Sequence, residues 1–256
     1  MKRLLVIGYG IASYLAFIVA FLYAIAFVGD FLVARTVDSG IAAPIAEAVL
    51  VNLLLLSVFA VQHSVMARPA FKRRWTRVVP QVIERSTYVL LSSLALFLLY
   101  WQWRTMPAIV WSVESTAGQV VLWTLFWAGW AMVFSSTFMI NHFELFGLRQ
   151  VWLSWRGRPY RELGFRTVML YRVIRHPIMA GFIVAFWATP TMTAGHLLFA
   201  AVSTAYILVA IQFEEHDLVG DLGDEYRDYQ HRVAMLAPGL HRGHDSPTPH
   251  VRHRPA

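Results

Sequence analysis

The chain has 256 residues, of which 57% are apolar and only 14% are charged. Soluble domains carry about 25% charged residues, so this composition excludes an ordinary soluble enzyme and a disordered protein. The chain has no cysteine, which excludes a disulfide scaffold, a thiolate metal site and a cysteine nucleophile. The net charge is +7, and its basic residues lie between apolar runs. That arrangement indicates the anionic surface of a lipid bilayer, not nucleic acid, as their partner.

Apolar runs divide the chain into predicted membrane segments. Four runs, over residues 4–28, 46–66, 86–103 and 119–140, approach or exceed the roughly 20 residues that a spanning helix needs. Two shorter apolar segments follow, over residues 178–188 and 197–213, with Pro and Gly between them. Because Pro and Gly mark turns, we predict a helical hairpin there. The predicted fold class is an all-α integral membrane protein with about five transmembrane helices, the last part forming this hairpin.

Basic residues alternate between successive loops. Residues 67–85 hold six Lys and Arg residues and residues 141–177 hold seven Arg, whereas residues 29–44 and 102–118 hold one Arg each. The positive-inside rule therefore predicts that both termini are cytoplasmic. We also predict one domain over residues 1–238 and a disordered tail over residues 239–256, which is rich in Pro, His and Arg.

Two polar side chains lie inside the second apolar run. We interpret Asn52 as the donor of an interhelical hydrogen bond. His63, near the cytoplasmic end of the run, fits an interfacial histidine bonded to a neighbour, and a functional role is the alternative.

Charged residues gather at both ends of the predicted hairpin. Arg175 and His176 come directly before it, and Glu214 and Glu215 follow it. Because a hairpin returns its ends to one side of the membrane, we expect these four side chains to be neighbours on the cytoplasmic side. Two carboxylates beside Arg and His suit a cationic, hydrogen-bonding ligand. An ion-pair cluster that only anchors the hairpin is an equally good interpretation of the same four residues.

The segment from residue 170 to 181 resembles the RHPxYxG motif of the integral membrane methyltransferases. This group includes the isoprenylcysteine carboxyl methyltransferases and the phospholipid methyltransferases. Arg175, His176 and Gly181 match the motif, but Met179 replaces its Tyr. A phenol contact is therefore absent, and no role of that Tyr is carried over.

A second motif of the same group follows the hairpin. Glu214 and Glu215 match its paired glutamates, and Tyr226, Tyr229 and a closing Pro238 match its later positions. The two motifs are about 40 residues apart, and together they cover roughly the last 70 residues before the tail. The cofactor-binding part predicted from them is about residues 141–238.

The rest of the chain narrows the resemblance. Residues 62–68, 84–88 and 141–150 resemble the NnrU-like branch of this group, and with residues 186–193 the chain up to the tail is similar to the methanethiol S-methyltransferases. The resemblance implies a bacterial inner-membrane enzyme with S-adenosylmethionine as cofactor and a small volatile thiol as substrate. The implied reaction converts methanethiol to dimethyl sulfide, with hydrogen sulfide as a second candidate substrate. Prenylcysteine or phospholipid methylation, and a non-enzymatic role in nitrogen-oxide metabolism, remain the alternatives.

The resemblance also implies roles for residues. Carboxylates suit the ribose hydroxyls and ammonium of the donor, and aromatic faces can hold its sulfonium. The implied cofactor-binding residues are Arg175, His176, Gly181, Glu214, Glu215, Tyr226 and Tyr229. The nucleophile is a thiolate, so the reaction needs a base or a cationic field. The catalytic candidates are His142, Glu144 and Arg172, which the sequence does not rank. In-line methyl transfer requires no metal, and we predict no metal site.

Overall fold

The computed structural model describes residues 2–161, 164 and 167–239. Its α-helices are α1 (Lys2–Gly29), α2 (Ile45–Ala67), α3 (Pro69–Trp75), α4 (Gln81–Gln102), α5 (Thr116–Ile140), α6 (His142–Leu145), α7 (Leu148–Trp155), α8 (Pro177–Trp187), α9 (Ala194–Leu222) and α10 (Asp224–Arg232). A 3-10 helix covers Met169–Arg172, and short strands are β1 (Ile41–Ala42), β2 (Arg104–Thr105), β3 (Ile109–Ser112) and β4 (Thr191–Thr193). The tail predicted to be disordered lies outside the described residues, except for Gly239.

Five helices, α1, α2, α4, α5 and α9, are long and apolar enough to cross a membrane. The shortest, α4, has 22 residues and is about 33 Å long, against a hydrocarbon core of about 30 Å. Large apolar side chains remain exposed on these helices, as Leu50, Leu54 and Val61 on α2 illustrate. Such a surface requires a lipid environment. The chain is a mainly helical integral membrane protein, which confirms the predicted class and the number of spans.

The helix α9 is longer than its apolar sequence predicts. The apolar run ends at Phe213, but the helix continues to Leu222, and Gly223 with a φ of +61° follows it. A glycine in the left-handed region is a common helix terminator because it has no Cβ to clash. Glu214 and Glu215 therefore project from one helix about 100° apart, and they face different surroundings.

Close packing of α5 and α8 depends on two glycines. A Cβ at Gly181 would lie 2.7 Å from the carbonyl oxygen of Gly129, and a Cβ at Gly129 would lie 2.7 Å from that of Gly181. The two backbones are in contact at this point. Next to it, the ring of Trp130 meets Phe182 and Phe186 edge-on, with centroids 5.7 and 6.0 Å away. This contact fixes the position of α8 and of the residues just before it.

The loops predicted to lie outside the cytoplasm form a layer of their own. There β1 pairs with β2 in parallel, and β3 pairs with β4 antiparallel. The connector between α8 and α9, predicted only as a turn, contains β4 and is thereby joined to the loop before α5. Asn52 bonds to the backbone nitrogen and oxygen of Arg104, at 2.9 and 2.8 Å. The predicted bond of Asn52 therefore exists, but its partner is a strand rather than another helix.

Candidate functional site

The residues before α8 are tied to the segment after α10. The backbone N–H of Arg175 donates to Ala234 at 2.8 Å, and that of His176 donates to Met235 at 3.1 Å. Pro177 occupies the first turn of α8, where its missing N–H costs nothing. Arg175 and His176 are thus held in an extended segment immediately before the helix.

Glu215 on α9 binds both of these side chains. Its Oε1 accepts from Arg175 Nε at 2.6 Å and from His176 Nε2 at 2.9 Å, while its Oε2 accepts from Gln230 Nε2 at 2.8 Å. Only 11% of the Glu215 side chain is exposed. The NH1 group of Arg175 also donates to the carbonyls of Gln230 and Val233, at 3.0 and 2.5 Å. This cluster joins α8, α9 and α10, and both oxygens of Glu215 are occupied within it.

Glu214 differs from its neighbour. Its side chain is 47% exposed, and Nδ1 of His176 lies 3.8 Å from its Oε2. That separation exceeds the range of a hydrogen bond. Of the two glutamates, Glu214 therefore keeps a carboxylate that a ligand can reach.

Tyr226 and Tyr229 on α10 are buried beside the same cluster. Their ring centroids are 5.7 Å apart, and the Tyr229 hydroxyl donates to the carbonyl of Tyr171 at 2.5 Å. Burial raises the pKa of Tyr226, and it raises the pKa of Tyr229 to about 12. Both phenols consequently keep their protons at neutral pH.

A cavity of about 300 Å³ opens next to this pair of tyrosines. Arg172 and Arg232 line it together with Thr167, Tyr229 and Val233. The structure therefore brings Arg172, predicted as catalytic, to the same place as the predicted cofactor-binding residues. Two guanidinium groups give the cavity a positive lining.

His142 lies in a different environment, at the start of α6. Its Nε2 is 2.7 Å from the Tyr14 hydroxyl and its Nδ1 is 2.8 Å from Thr137 Oγ1, while its ring stacks on Phe138 at 4.2 Å. Burial lowers the pKa of His142, which favours the neutral ring. The residue borders a second cavity, of about 360 Å³, formed mainly by residues 138–143.

Glu144 is enclosed by its own partners. It forms an ion pair with Arg149 at 2.7 Å, accepts from Gln150 at 3.3 Å, and accepts from the Tyr160 hydroxyl. Within the described residues, these partners and those of His142 are separate from the Arg175–Glu215 cluster. Gly181 likewise faces α5 through the glycine contact above, which gives it a packing role.

Sequence reasoning missed Gln230, which completes the hydrogen bonding of Glu215. Gln230 lies four residues after Tyr226 on α10, so the two residues share one face of the helix. This spacing is the sequence signal that could have identified Gln230. Among the described residues, there is no group of three His, Asp or Glu side chains that could hold a metal ion.

Together the fold and this cluster define a polytopic helical membrane protein with a polar site where α8, α9 and α10 meet. The chain belongs to the NnrU protein family, which it matches over residues 51–232.

The names of the proteins that this chain resembles are more specific than the family name. A methanethiol S-methyltransferase of Mycobacterium tuberculosis is 71% identical over 94% of this chain and 99% of its own length. Methanethiol S-methyltransferase 2 of Bradyrhizobium diazoefficiens is 56% identical over 93% of this chain and 92% of its length. The corresponding protein of Crocosphaera subtropica is 46% identical, with 93% of each chain covered. No solved structure gives a significant match.

Proposed function

We propose that this protein is an S-adenosylmethionine-dependent thiol S-methyltransferase that converts methanethiol to dimethyl sulfide. The observation that carries the proposal is the 71% identity, over almost the full length of both chains, to a protein of that name. The cluster around Glu215 supports it because the resembling motifs, far apart in sequence, meet there. Hydrogen sulfide is the second acceptor in the proposal.

The residues present fit such a donor. Glu214 offers a half-exposed carboxylate for an ammonium or for ribose hydroxyls. Arg172 and Arg232 line the adjoining cavity, where they suit the carboxylate of the amino acid part. Tyr229 borders the same cavity, and its protonated ring suits a sulfonium through cation–π attraction. When bound, the donor supplies an electrophilic methyl group.

In this proposal, the residues of the protein hold the helices in place and orient the bound reactants. Glu215, Arg175, His176 and Gln230 fix the returning end of α9 against the start of α8, so that α8 and α9 act as a hairpin with the donor site at its open end. When two reactants are held in the right geometry, this alone can provide most of the rate acceleration of a displacement reaction. Gly181 contributes indirectly, since it permits the contact that positions α8.

The three catalytic candidates divide by environment. Arg172 adjoins the proposed donor cavity, where its charge favours a thiolate over a thiol. His142 and Glu144 are engaged by neighbours around α6 and α7, and we assign them to holding that segment. For His142 to act as the base, either Tyr14 or Thr137 would have to release a ring nitrogen.

The charge pattern of the loops supports an orientation in the inner membrane with both termini cytoplasmic. The donor site then faces the compartment that contains S-adenosylmethionine. One membrane-embedded domain over residues 1–238 carries the activity in this proposal, and its cofactor-binding part is about residues 141–238.

Headspace gas chromatography of the purified protein tests the proposed reaction. We expect dimethyl sulfide from methanethiol with the donor, and none when the donor is omitted. The matched control variant is Asp224→Asn, which alters only an exposed ion pair with Arg227 and should retain full activity. Absence of dimethyl sulfide, together with methylation of a prenylcysteine or a phospholipid amine, would replace this function with one of its alternatives.

A further inference from the structure

A second polar cluster lies between α2, α4 and α9. The Tyr88 hydroxyl on α4 is 3.0 Å from Nδ1 and 2.9 Å from Nε2 of His63 on α2. Ser92 Oγ is 3.3 Å from the same Nδ1. The Tyr88 hydroxyl therefore contacts both ring nitrogens, and Ser92 contacts only Nδ1. When Tyr88 and Ser92 are both engaged at Nδ1, Nε2 can accept a proton from a bound ligand. An ionisable ring within a membrane segment is costly, and it commonly marks a functional site.

Aromatic rings surround this histidine. Phe59 stacks on His63 with centroids 5.2 Å apart, and Phe59 meets Tyr206 edge-on at 6.4 Å. The Tyr206 hydroxyl is 3.1 Å from Ser64 Oγ. His63, Tyr88 and Tyr206 are only partly buried, so a small molecule can reach them. Aromatic walls favour contact with sulfur.

The cluster adjoins the proposed donor site through the end of α2. Arg68 donates to Asp217 at 2.9 Å and to the carbonyl of Phe213 at 3.2 Å. Phe213 and Asp217 flank Glu214 on α9, and the charge of Glu214 acts on Tyr88 and is influenced by Arg68. The end of α2 therefore connects the His63 cluster to the part of α9 that carries Glu214.

We propose that the cluster of Phe59, His63, Tyr88 and Tyr206 binds the acceptor thiol and that His63 removes its proton. The inference rests on the proposed function and adds the acceptor site and the base to it. A small, uncharged thiol is soluble in the bilayer, and it can enter between helices whose outer faces contact lipid. Tyr88 acts as a positioning residue that orients the ring of His63.

The step balances without any further reactant. The S–H bond of the thiol breaks, and its proton goes to Nε2 of His63. The electron pair left on that sulfur forms the bond to the methyl carbon, whose bond to the sulfonium sulfur breaks with both electrons remaining on the donor. His63 then releases one proton to water, so the overall reaction produces one proton per methyl transferred.

The variant His63→Gln tests this assignment with two acceptors. Methanethiol needs a base, whereas methaneselenol is a stronger acid and is already ionised at neutral pH. We expect methanethiol turnover to fall by about 10²-fold or more, in the range of lost general-base catalysis, while methaneselenol turnover stays within about threefold of wild type. Donor affinity, measured by calorimetry, should not change. His216→Gln, an exposed histidine on α9, is the matched control.

A second variant keeps the test decisive if His63→Gln does not fold. Tyr88→Phe preserves the ring and removes the hydroxyl, so methanethiol turnover should fall about tenfold and selenol turnover should not. Equal losses with both acceptors, or no loss with either, would overturn the assignment while dimethyl sulfide production by wild type upholds the proposed function. A wild-type protein that makes no dimethyl sulfide would overturn the function, and the assignment with it.

Discussion

Nε of Arg175 lies 2.6 Å from Oε1 of Glu215, a residue 40 positions further along the chain. Both side chains are only 11% exposed. The pair connects the segment before α8 to the late turns of α9, and His176 and Gln230 complete it. The paired glutamates of the second motif therefore differ in role: Glu215 anchors the fold, and Glu214 stays accessible.

Replacement of Glu215 should destabilise the protein. Glu215→Gln leaves the guanidinium of Arg175 enclosed without its counter-charge, and loss of one partner of a buried pair costs about 3–5 kcal/mol. Thermal unfolding in detergent should show a large decrease in melting temperature. Asp224→Asn, which alters an exposed pair, should show none. Equal melting temperatures for the two variants would contradict the anchoring role.

Replacement of Glu214 should weaken donor binding and leave stability unchanged. Glu214→Gln keeps the shape of the side chain and removes its charge, and a hydrogen bond to a charged group contributes about 1.5–3 kcal/mol. We expect the dissociation constant for S-adenosylmethionine, measured by calorimetry, to rise about tenfold or more. Wild-type affinity in this variant would show that the carboxylate does not contact the donor.

The contact between α5 and α8 should not tolerate a side chain at Gly181. In Gly181→Ala, the new Cβ would lie 2.7 Å from the Gly129 carbonyl and 3.0 Å from the backbone nitrogen of Val133. Overpacking of this kind costs about 1–3 kcal/mol. Gly220→Ala on α9 is the control, because its Cβ would meet no atom within 4 Å and should stabilise the helix by about 0.5–1 kcal/mol. Similar unfolding temperatures for both variants would refute the packing role.

The loop layer that contains β1 to β4 should respond to pH through Asp38. Burial raises the pKa of this carboxyl from 3.8 to about 6, with the nearby Asp30 adding to the rise and a hydrogen bond from Thr193 opposing it. Between pH 4 and 6 the folded state holds this proton more tightly than the unfolded state, so stability should decrease as pH rises through this range and then level off.

The variant Asp38→Asn isolates this contribution. Its amide oxygen can still accept from Thr193, but it does not titrate. The difference in melting temperature between wild type and variant, measured from pH 4 to 7.5, should shift in favour of the variant as pH rises to about 6. A difference that stays constant across this range would mean that Asp38 does not titrate there.

Single cysteines can test the orientation because the chain has none of its own. Ser154→Cys on α7 should be labelled only after the membrane is made permeable, whereas Glu114→Cys, in the exposed loop before α5, should react with an impermeant maleimide in intact cells. The opposite pattern would reverse the proposed topology.

Sequence patterns identified the spanning helices well because each depends on local composition. The apolar run from residue 119 to 140 became α5, which starts only three residues earlier and ends at Ile140. The end of α9 was misjudged by nine residues, since hydrophobicity stops at Phe213 while helical hydrogen bonding continues through charged residues to Leu222. Apolar content therefore predicts where a helix is buried in lipid, not where its hydrogen bonds end.

By itself, the sequence determined the membrane class, the number of spans, the loop charge pattern and the two motifs at the ends of the hairpin. Only the tertiary structure decided what the individual polar residues do. Two adjacent glutamates point about 100° apart on a helix, so one is enclosed by Arg175 and His176 while the other stays exposed. His63 and Tyr88 are 25 residues apart on different helices. Their contact arises from the packing of α2 against α4, and no local pattern encodes it.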